Sequence, residues 1–245
     1  MKESAKKTEE IEISVVVPIF NEEESIPVLI PELVRVLNHL NTPYEVLLVD
    51  DGSSDGSLKI LKEMISRYPF LRTLRFRENR GSSTVLVAGV REARGAKIVT
   101  IDSDLQNDPG DIPKLLEYLG PYDMAAGWRQ KREDPWIRRI SSKIANRIRN
   151  WLSGEKINDS VCPLRVFKKE CFEDIPKFNG MHRFLPTLMK MEGYRVIEVP
   201  VSHHPRRFGK SKYNIRNRMW RSFIDLLAVR WMKNRYLAYD VEERI

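Results

Sequence analysis

Residues 98–109 read IVTIDSDLQNDP. A short apolar run stops abruptly at Asp102, Ser103 and Asp104, and Gln106, Asn107 and Asp108 follow. Such a run, bounded by polar turn residues, predicts a buried strand that delivers carboxylates to its carboxyl end. In an open α/β sheet that edge is where ligands bind. Asp102 and Asp104 stand two apart, so on extended chain they share a face and both can address one cation. Hard oxygen donors suit Mg2+ or Mn2+, ions that neutralise a diphosphate. The same residues also allow a plainer reading, a strand followed by an acidic turn with an Asp capping the next helix.

Outward from this stretch the pattern repeats. Residues 11–20, IEISVVVPIF, form a continuous apolar strand, as expected when helices cover both faces of a sheet. Asn21 to Ser25 are predicted to open a helix with an acidic first turn, favourable to its dipole. Ile26, Leu29, Ile30, Leu33, Val36, Leu37 and Leu40 continue it at helical spacing. Residues 44–49 predict a second strand, ending in Asp50 and Asp51, with Asp55 read as a turn residue. A helix over 57–67, a strand over 71–76 and a helix over 85–93 lead back to the opening stretch. Strict alternation of this kind indicates an α/β fold with a doubly wound, mostly parallel sheet. Neither a G-x-x-x-x-G-K-[ST] loop nor a G-x-G-x-x-G after the first strand is present, which argues against P-loop NTPases and dinucleotide-dependent dehydrogenases. Two acid-tipped strands suit a nucleotide, which offers base and ribose to one and a metal-bridged diphosphate to the other.

Apolar residues make up 42% of the chain and charged residues 31%, as in ordinary soluble globular proteins. No apolar run reaches the roughly 18–20 residues of a spanning helix. The opening MKESAKKTEE lacks the apolar core of a signal peptide and reads as a frayed tail. With only Cys162 and Cys171, the expected home is a reducing cytoplasm. The net charge of +8 is unevenly placed: between His203 and Tyr236 ten Lys or Arg face one acid. That asymmetry points to an anionic partner, whether nucleic acid, phospholipid or a phosphorylated substrate.

Four segments, VVVPIFNE (15–22), VDDGSSD (49–55), NRG (79–81) and IDSDLQNDP (101–109), occur in an order that resembles the family 2 glycosyltransferases of GT-A fold. More narrowly, the chain resembles polyprenyl-phosphate glycosyltransferases of the dolichol-phosphate mannose synthase type, over about residues 11–215. The resemblance implies a tail (1–10), a GT-A domain (11–214, with a nucleotide half to about 109 and an acceptor half from 110) and an amphipathic C-terminal helix (215–245). It also implies that Pro18, Phe20 and Glu22 line the nucleotide pocket with Asp50 and Asp51, one of which holds base or ribose. Asp102, Asp104 and Gln106 then surround the metal and diphosphate. Phe20 stands where a tyrosine is often expected, which keeps an aromatic wall without its hydroxyl.

In the second half, the segment after a strand at 122–127 resembles the family's acceptor loop, with Arg129 facing phosphate. Trp136, Ile140, Ile144, Ile148 and Leu152 recur every four residues among cations, which predicts a basic amphipathic helix for a membrane surface or for the core. DSVCPLR (159–165) leads into a further strand, and Arg165 reads either as a phosphate contact or as a structural ion pair. Where hydroxyl-glycosylating relatives carry an acidic base at a helix start, this chain has His182 and Arg183. An alcohol must lose a proton as it attacks, whereas a phosphate monoester is already anionic. A phosphate acceptor is therefore favoured, with a base role for His182 left open. HHPRRFGKSKY (203–213) matches the family's R-x-x-G-x-S-K pattern, so Arg206 and Lys212 are expected to clamp a diphosphate or lipid phosphate.

These readings combine into an inverting transferase that moves a sugar from a GDP- or UDP-sugar to polyprenyl phosphate, with Mg2+ or Mn2+ as cofactor. Peripheral attachment to the cytoplasmic face of an anionic membrane is expected through the basic aromatic tail, with a homodimer as the other use of that surface. The alternative is a family 2 enzyme acting on a glycan or other hydroxyl in cell-envelope polysaccharide synthesis. A nucleotidylyltransferase would begin with a Gly-rich loop, a receiver domain would leave the second acidic strand unexplained, and no nucleic-acid-binding signature accompanies the charge.

Overall fold

A computed structural model describes residues 10–130, 157–208 and 215–235. Seven strands form one sheet: β1 (Ile13–Ile19), β2 (Tyr44–Asp50), β3 (Leu71–Arg75), β4 (Lys97–Thr100), β5 (Met124–Arg129), β6 (Arg165–Lys168) and β7 (Val196–Val201). Their order is β3-β2-β1-β4-β6-β5-β7. β1 pairs in parallel with both β2 and β4, whereas β6 runs antiparallel to its neighbours β4 and β5. The chain winds outward from β1 to β3, then returns to place β4 on the other side of β1. That reversal opens a crevice at the carboxyl ends of β1 and β4, the place where open α/β sheets bind ligands.

Helices α1 (Ile26–Asn38), α2 (Ser57–Arg67), α3 (Ser82–Glu92), α4 (Ile112–Leu116), α5 (Lys169–Asp174), α6 (Leu185–Met191) and α7 (Ile215–Asn234) flank the sheet. Side chains alternate along β1, so Val15, Val17 and Ile19 join the α1 and α2 core while Val16 joins the core under α3 and α6. α3 approaches closely because Gly89 has no side chain: a Cβ there would stand 2.3 Å from Val16 Cγ1.

One sequence expectation needs correction. Glu22, Glu23 and Glu24 precede α1 rather than forming its first turn, because Pro27 sets the helix start. Their carboxylates serve the loop instead: Ser25 Oγ donates to Glu22 at 2.7 Å and Gly56 N donates to Glu23 at 2.7 Å. The expected amphipathic helix between Trp136 and Leu152 lies outside the described residues.

Candidate active site

The end of β4 is shaped by its own polar residues. Ser103 Oγ donates to the Pro18 carbonyl at 2.8 Å and so ties this loop to the end of β1. Leu105 adopts φ 60, unusual for a branched side chain, and its buried side chain holds the loop in that conformation. Gln106 N donates back to Asp104 Oδ1 at 3.2 Å. Asp108 caps the following 3₁₀ turn through Gly110 N at 2.8 Å, so one acid of the stretch does fill the capping role.

Three loops meet at Arg206. Its Nη2 donates to Asp104 Oδ2 at 2.8 Å, and its Nη1 lies 3.8 Å from Glu22 Oε1. The segment after β7 is held there by His204 N donating to the Gln106 carbonyl and by a bridge between Asn107 and His203. Thus residues following β1, β4 and β7 converge on one polar crevice. Burial pushes the Asp102 carboxyl up to about 7, and the charge of Asp104 beside it acts in the same direction. Arg165, Arg129 and Arg206 oppose the shift.

Asp50 ends β2 and Asp51 follows it, both buried, and both organise neighbouring loops. Asp50 Oδ1 accepts from Ser53 N at 2.9 Å, and Arg75 Nε lies 3.2 Å from Oδ2. Asp51 accepts from Arg80 N at 2.6 Å and Gly81 N at 2.9 Å, so the Asn-Arg-Gly motif is the partner of this acid. Asp55 closes a turn on Ser57 N at 3.0 Å, as its turn reading expects. Pro18 and Phe20 sit half-buried at the exit of β1.

Arg129, expected to face phosphate, has a carboxylate partner in the fold. It is fastened to Asp159, with Nε donating to Oδ2 at 2.7 Å and Nη2 to Oδ1 at 3.0 Å. Burial disfavours its charge, but the Asp159 carboxylate outweighs burial and raises its pKa. Asp159 is positioned in turn by Glu198 on β7, which accepts from the backbone of Asn158 and Asp159. Neither Asp159 nor Glu198 stands out in the sequence, because the pairing joins strands remote along the chain. Among the described residues Arg165 forms no ion pair. Its Nη1 donates to the His182 carbonyl at 2.8 Å and its Nη2 to the Ser160 carbonyl at 2.9 Å.

His182 Nδ1 lies 2.7 Å from Ser83 Oγ, which itself accepts from Gly180 N at 2.9 Å. Ser83 Oγ keeps its own proton and a second acceptor site, so it can serve Nδ1 as donor or as acceptor. Lys212 lies outside the described residues. On α7, Leu226 and Val229 are buried, whereas Phe223, Ile224, Leu227 and Trp231 are exposed. Among the described residues no helix is long and apolar enough to cross a membrane.

A doubly wound sheet with acids at the tips of β2 and β4, opening at a topological switch, defines an α/β protein with a ligand-binding edge. The chain belongs to glycosyl transferase family 2, whose model matches residues 14–176. It is 36% identical over 225 residues to a dodecaprenyl-phosphate galacturonate synthase from Rhizobium johnstonii, covering 89% of this chain and 66% of that protein. The chain thus spans about two thirds of the length of that relative. The architecture is the GT-A fold. It is similar to a mannosyltransferase from Pyrobaculum calidifontis in complex with GDP-Man and Mn2+ (TM-score 0.61, 22% identity, 95% of this chain and 66% of that one). It is likewise similar to glucosyl-3-phosphoglycerate synthase from Mycobacterium tuberculosis in complex with Mn2+, UDP and phosphoglyceric acid (TM-score 0.68, 17% identity, 91% and 78%).

Proposed function

We propose that this chain is an inverting, metal-dependent glycosyltransferase that moves a sugar from a nucleoside-diphosphate sugar to a polyprenyl phosphate. The observation that carries the reading is the convergence of Asp102, Asp104 and Arg206 at the β1/β4 switch. The acceptor class is supported by the relative that is 36% identical and is a dodecaprenyl-phosphate sugar synthase.

Among the described residues no three His, Cys, Asp or Glu side chains gather into a ready-made metal site. A Mg2+-like ion needs only one or two carboxylates when substrate phosphates complete its shell. Asp102 and Asp104 meet that demand, and burial together with the charge of Asp104 makes Asp102 resist ionisation even with Arg165, Arg129 and Arg206 nearby. Asp102, Asp104 and Gln106 would hold Mg2+ or Mn2+, which when bound offsets charge on the departing diphosphate. Solved neighbours in complex with Mn2+ support this cofactor class.

The residues of the chain divide the remaining work. Pro18, Phe20 and Glu22 wall the donor pocket, while Asp50 and Asp51 shape its loops and offer their remaining lone pairs to base or ribose. Arg206, already in reach of Asp104, supplies a fixed cation for the diphosphate, joined by Lys212. A phosphate oxygen of the acceptor attacks the anomeric carbon from the face opposite the diphosphate. The anomeric C–O bond breaks with its electron pair staying on the diphosphate, so configuration inverts. No proton has to be removed from a phosphate acceptor, so the reaction needs no general base.

The exposed face of α7 supports docking at an anionic membrane surface. Phe223, Ile224, Leu227 and Trp231 offer an apolar stripe, and the Arg235 guanidinium lies 5.9 Å over the Trp231 ring. Self-association through the same stripe is the competing use. The test of the function is transfer from a panel of GDP-mannose, UDP-hexoses and a uronate-bearing UDP-sugar to polyprenyl phosphate, with Mg2+ or Mn2+. Metal-dependent appearance of sugar in the lipid phase is expected from one donor, and none when free polyprenol replaces its phosphate. Equal transfer to polyprenol or to glycan would overturn the acceptor assignment.

A further inference from the structure

Ser83 is the second residue of α3 and is buried, with 4% of its surface exposed. Its hydroxyl serves a turn far along the chain: it accepts from Gly180 N at 2.9 Å and lies 2.7 Å from His182 Nδ1. One proton and two acceptor sites let a single hydroxyl hold both groups at once. The 180–183 turn is fixed in its place by α7. Arg183 Nη1 donates to Ser222 Oγ at 2.8 Å and to Asp225 Oδ2 at 3.1 Å. Gly180 adopts φ 105 and lies so close to α7 that a Cβ there would stand 2.3 Å from Asp225 Oδ2. α7 therefore bears directly on the residues that Ser83 holds.

On its other side Ser83 belongs to the helix that the Asn-Arg-Gly segment opens. Arg80 N and Gly81 N both donate to Asp51, at 2.6 and 2.9 Å. Gly52, at φ 72, packs against the same segment, where a Cβ would be 2.7 Å from the Glu78 carbonyl carbon. Thr84 N and Val85 N donate to the Gly81 carbonyl at 3.0 and 3.2 Å, which fastens Gly81 to the first turn of α3. A continuous set of contacts thus runs from Asp225 through the 180–183 turn and Ser83 to the backbone that holds Asp51. Coupling between distant groups needs a shared element that both ends bias. Here that element is the first turn of α3.

We infer that Ser83 is a positioning residue for the nucleotide donor: it fixes the first turn of α3, and with it the Arg80 and Gly81 N–H groups on Asp51, against a turn that α7 holds in place. Donor affinity accordingly depends on α7, a helix beyond the residues that the family model matches. This rests on the proposed place of Asp51 in the donor pocket.

The test compares the wild-type chain with Ser83→Ala, Ser83→Thr and Asp225→Ala. Donor binding is read as the Kd for GDP and for UDP, each with Mn2+, and acceptor use as the KM for a short polyprenyl phosphate at saturating nucleotide sugar. Ser83→Ala strands the buried Gly180 N–H and should weaken the nucleotide that wild type binds by about fivefold to thirtyfold. Ser83→Thr keeps the hydroxyl and should stay within about threefold, and the acceptor KM should change by less than about threefold in either variant. Asp225→Ala should weaken the same nucleotide. Combined with Ser83→Ala it should do so by less than the product of the two single effects, because both act through one link. Unchanged nucleotide affinity in Ser83→Ala, equal loss of nucleotide and acceptor, or single effects that multiply would each overturn the inference. A second measurement covers a variant that fails to fold: hydrogen exchange on the wild-type chain with GDP or UDP and Mn2+. Amides of residues 180–184 should slow along with those of 79–84, and no slowing at 180–184 overturns the inference. Nucleotide binding by wild type with a normal Ser83→Ala sinks this inference only, whereas no binding of either nucleotide by wild type sinks the donor-site reading beneath it and this inference with it.

Discussion

Replacing Arg206 by alanine should move metal binding in two opposite directions. Arg206 Nη2 donates to Asp104 Oδ2 at 2.8 Å, so a cation arriving alone at Asp104 competes with a guanidinium already there. Hydrogen bonds to charged groups contribute about 1.5–3 kcal/mol. The Arg206 side chain is 29% exposed and Asp104 12%, so solvent screening reduces this, to roughly 1–2 kcal/mol. At 1.4 kcal/mol per tenfold, Arg206→Ala should tighten Mn2+ binding without nucleotide by about fivefold to thirtyfold. With a nucleoside diphosphate present the sign reverses, because the same guanidinium is then the cation that the phosphate oxygens lose. Electron paramagnetic resonance of free Mn2+, titrated with protein in the presence and absence of GDP or UDP, measures both affinities. The decisive quantity is the coupling between metal and nucleotide, which should be smaller in the variant. Metal-alone affinity that is unchanged or weaker in Arg206→Ala would refute the reasoning.

Three other outcomes follow from the geometry. Glu45 is buried on β2 and accepts from Ser14 Oγ at 2.7 Å, Arg94 N at 2.6 Å and Arg72 Nη1 at 2.8 Å. Burial raises its pKa, but the Arg72, Arg94 and Ser14 hydrogen bonds outweigh burial and lower it. A lowered carboxyl stabilises the fold above the unfolded value of about 4.3 and loses that contribution as pH falls through the folded value. Glu45→Gln should therefore cost about 2–4 kcal/mol at pH 7 in urea denaturation and flatten the acid limb, while Mn2+ binding at the far end of the sheet persists. Gly127→Ala sets a Cβ 2.8 Å from the Leu164 carbonyl and 2.9 Å from Cys162 Sγ, so it should destabilise by about 1–3 kcal/mol, read as a lowered melting temperature. Phe223→Ser with Leu227→Ser removes two side chains that are 42% and 44% exposed, so flotation with anionic liposomes should fall by more than any lowering of the melting temperature accounts for.

Much of the fold was legible because its signals are local. The apolar runs of β1, β2 and β4 and the helical spacing of α1 and α2 each depend on side chains a few residues apart. The acids after β2 and β4 were readable for the same reason, and the order of the motifs carried the family. Where neighbouring signals competed, the sequence misled: the acids at residues 22–24 look like a helix start, and the helix itself begins at Ile26.

What the tertiary structure alone decided is which charge meets which. Arg129 reads from the sequence as a phosphate ligand, and only the fold reveals that Asp159, thirty residues away, holds it. Arg165 reads as a phosphate contact or an ion pair, and only the fold reveals that it ties two carbonyls from remote segments. His182 reads as a candidate base, and only the fold places Ser83, ninety-nine residues distant, against its Nδ1. Periodicity and composition record how a segment meets solvent and core. They carry no trace of a pairing whose partners meet only after the sheet reverses at β1 and β4 and brings the ends of β1, β4 and β7 into one crevice. The physical reason is range: burial is set by neighbours in sequence, whereas the roles of buried charges are set by neighbours in space.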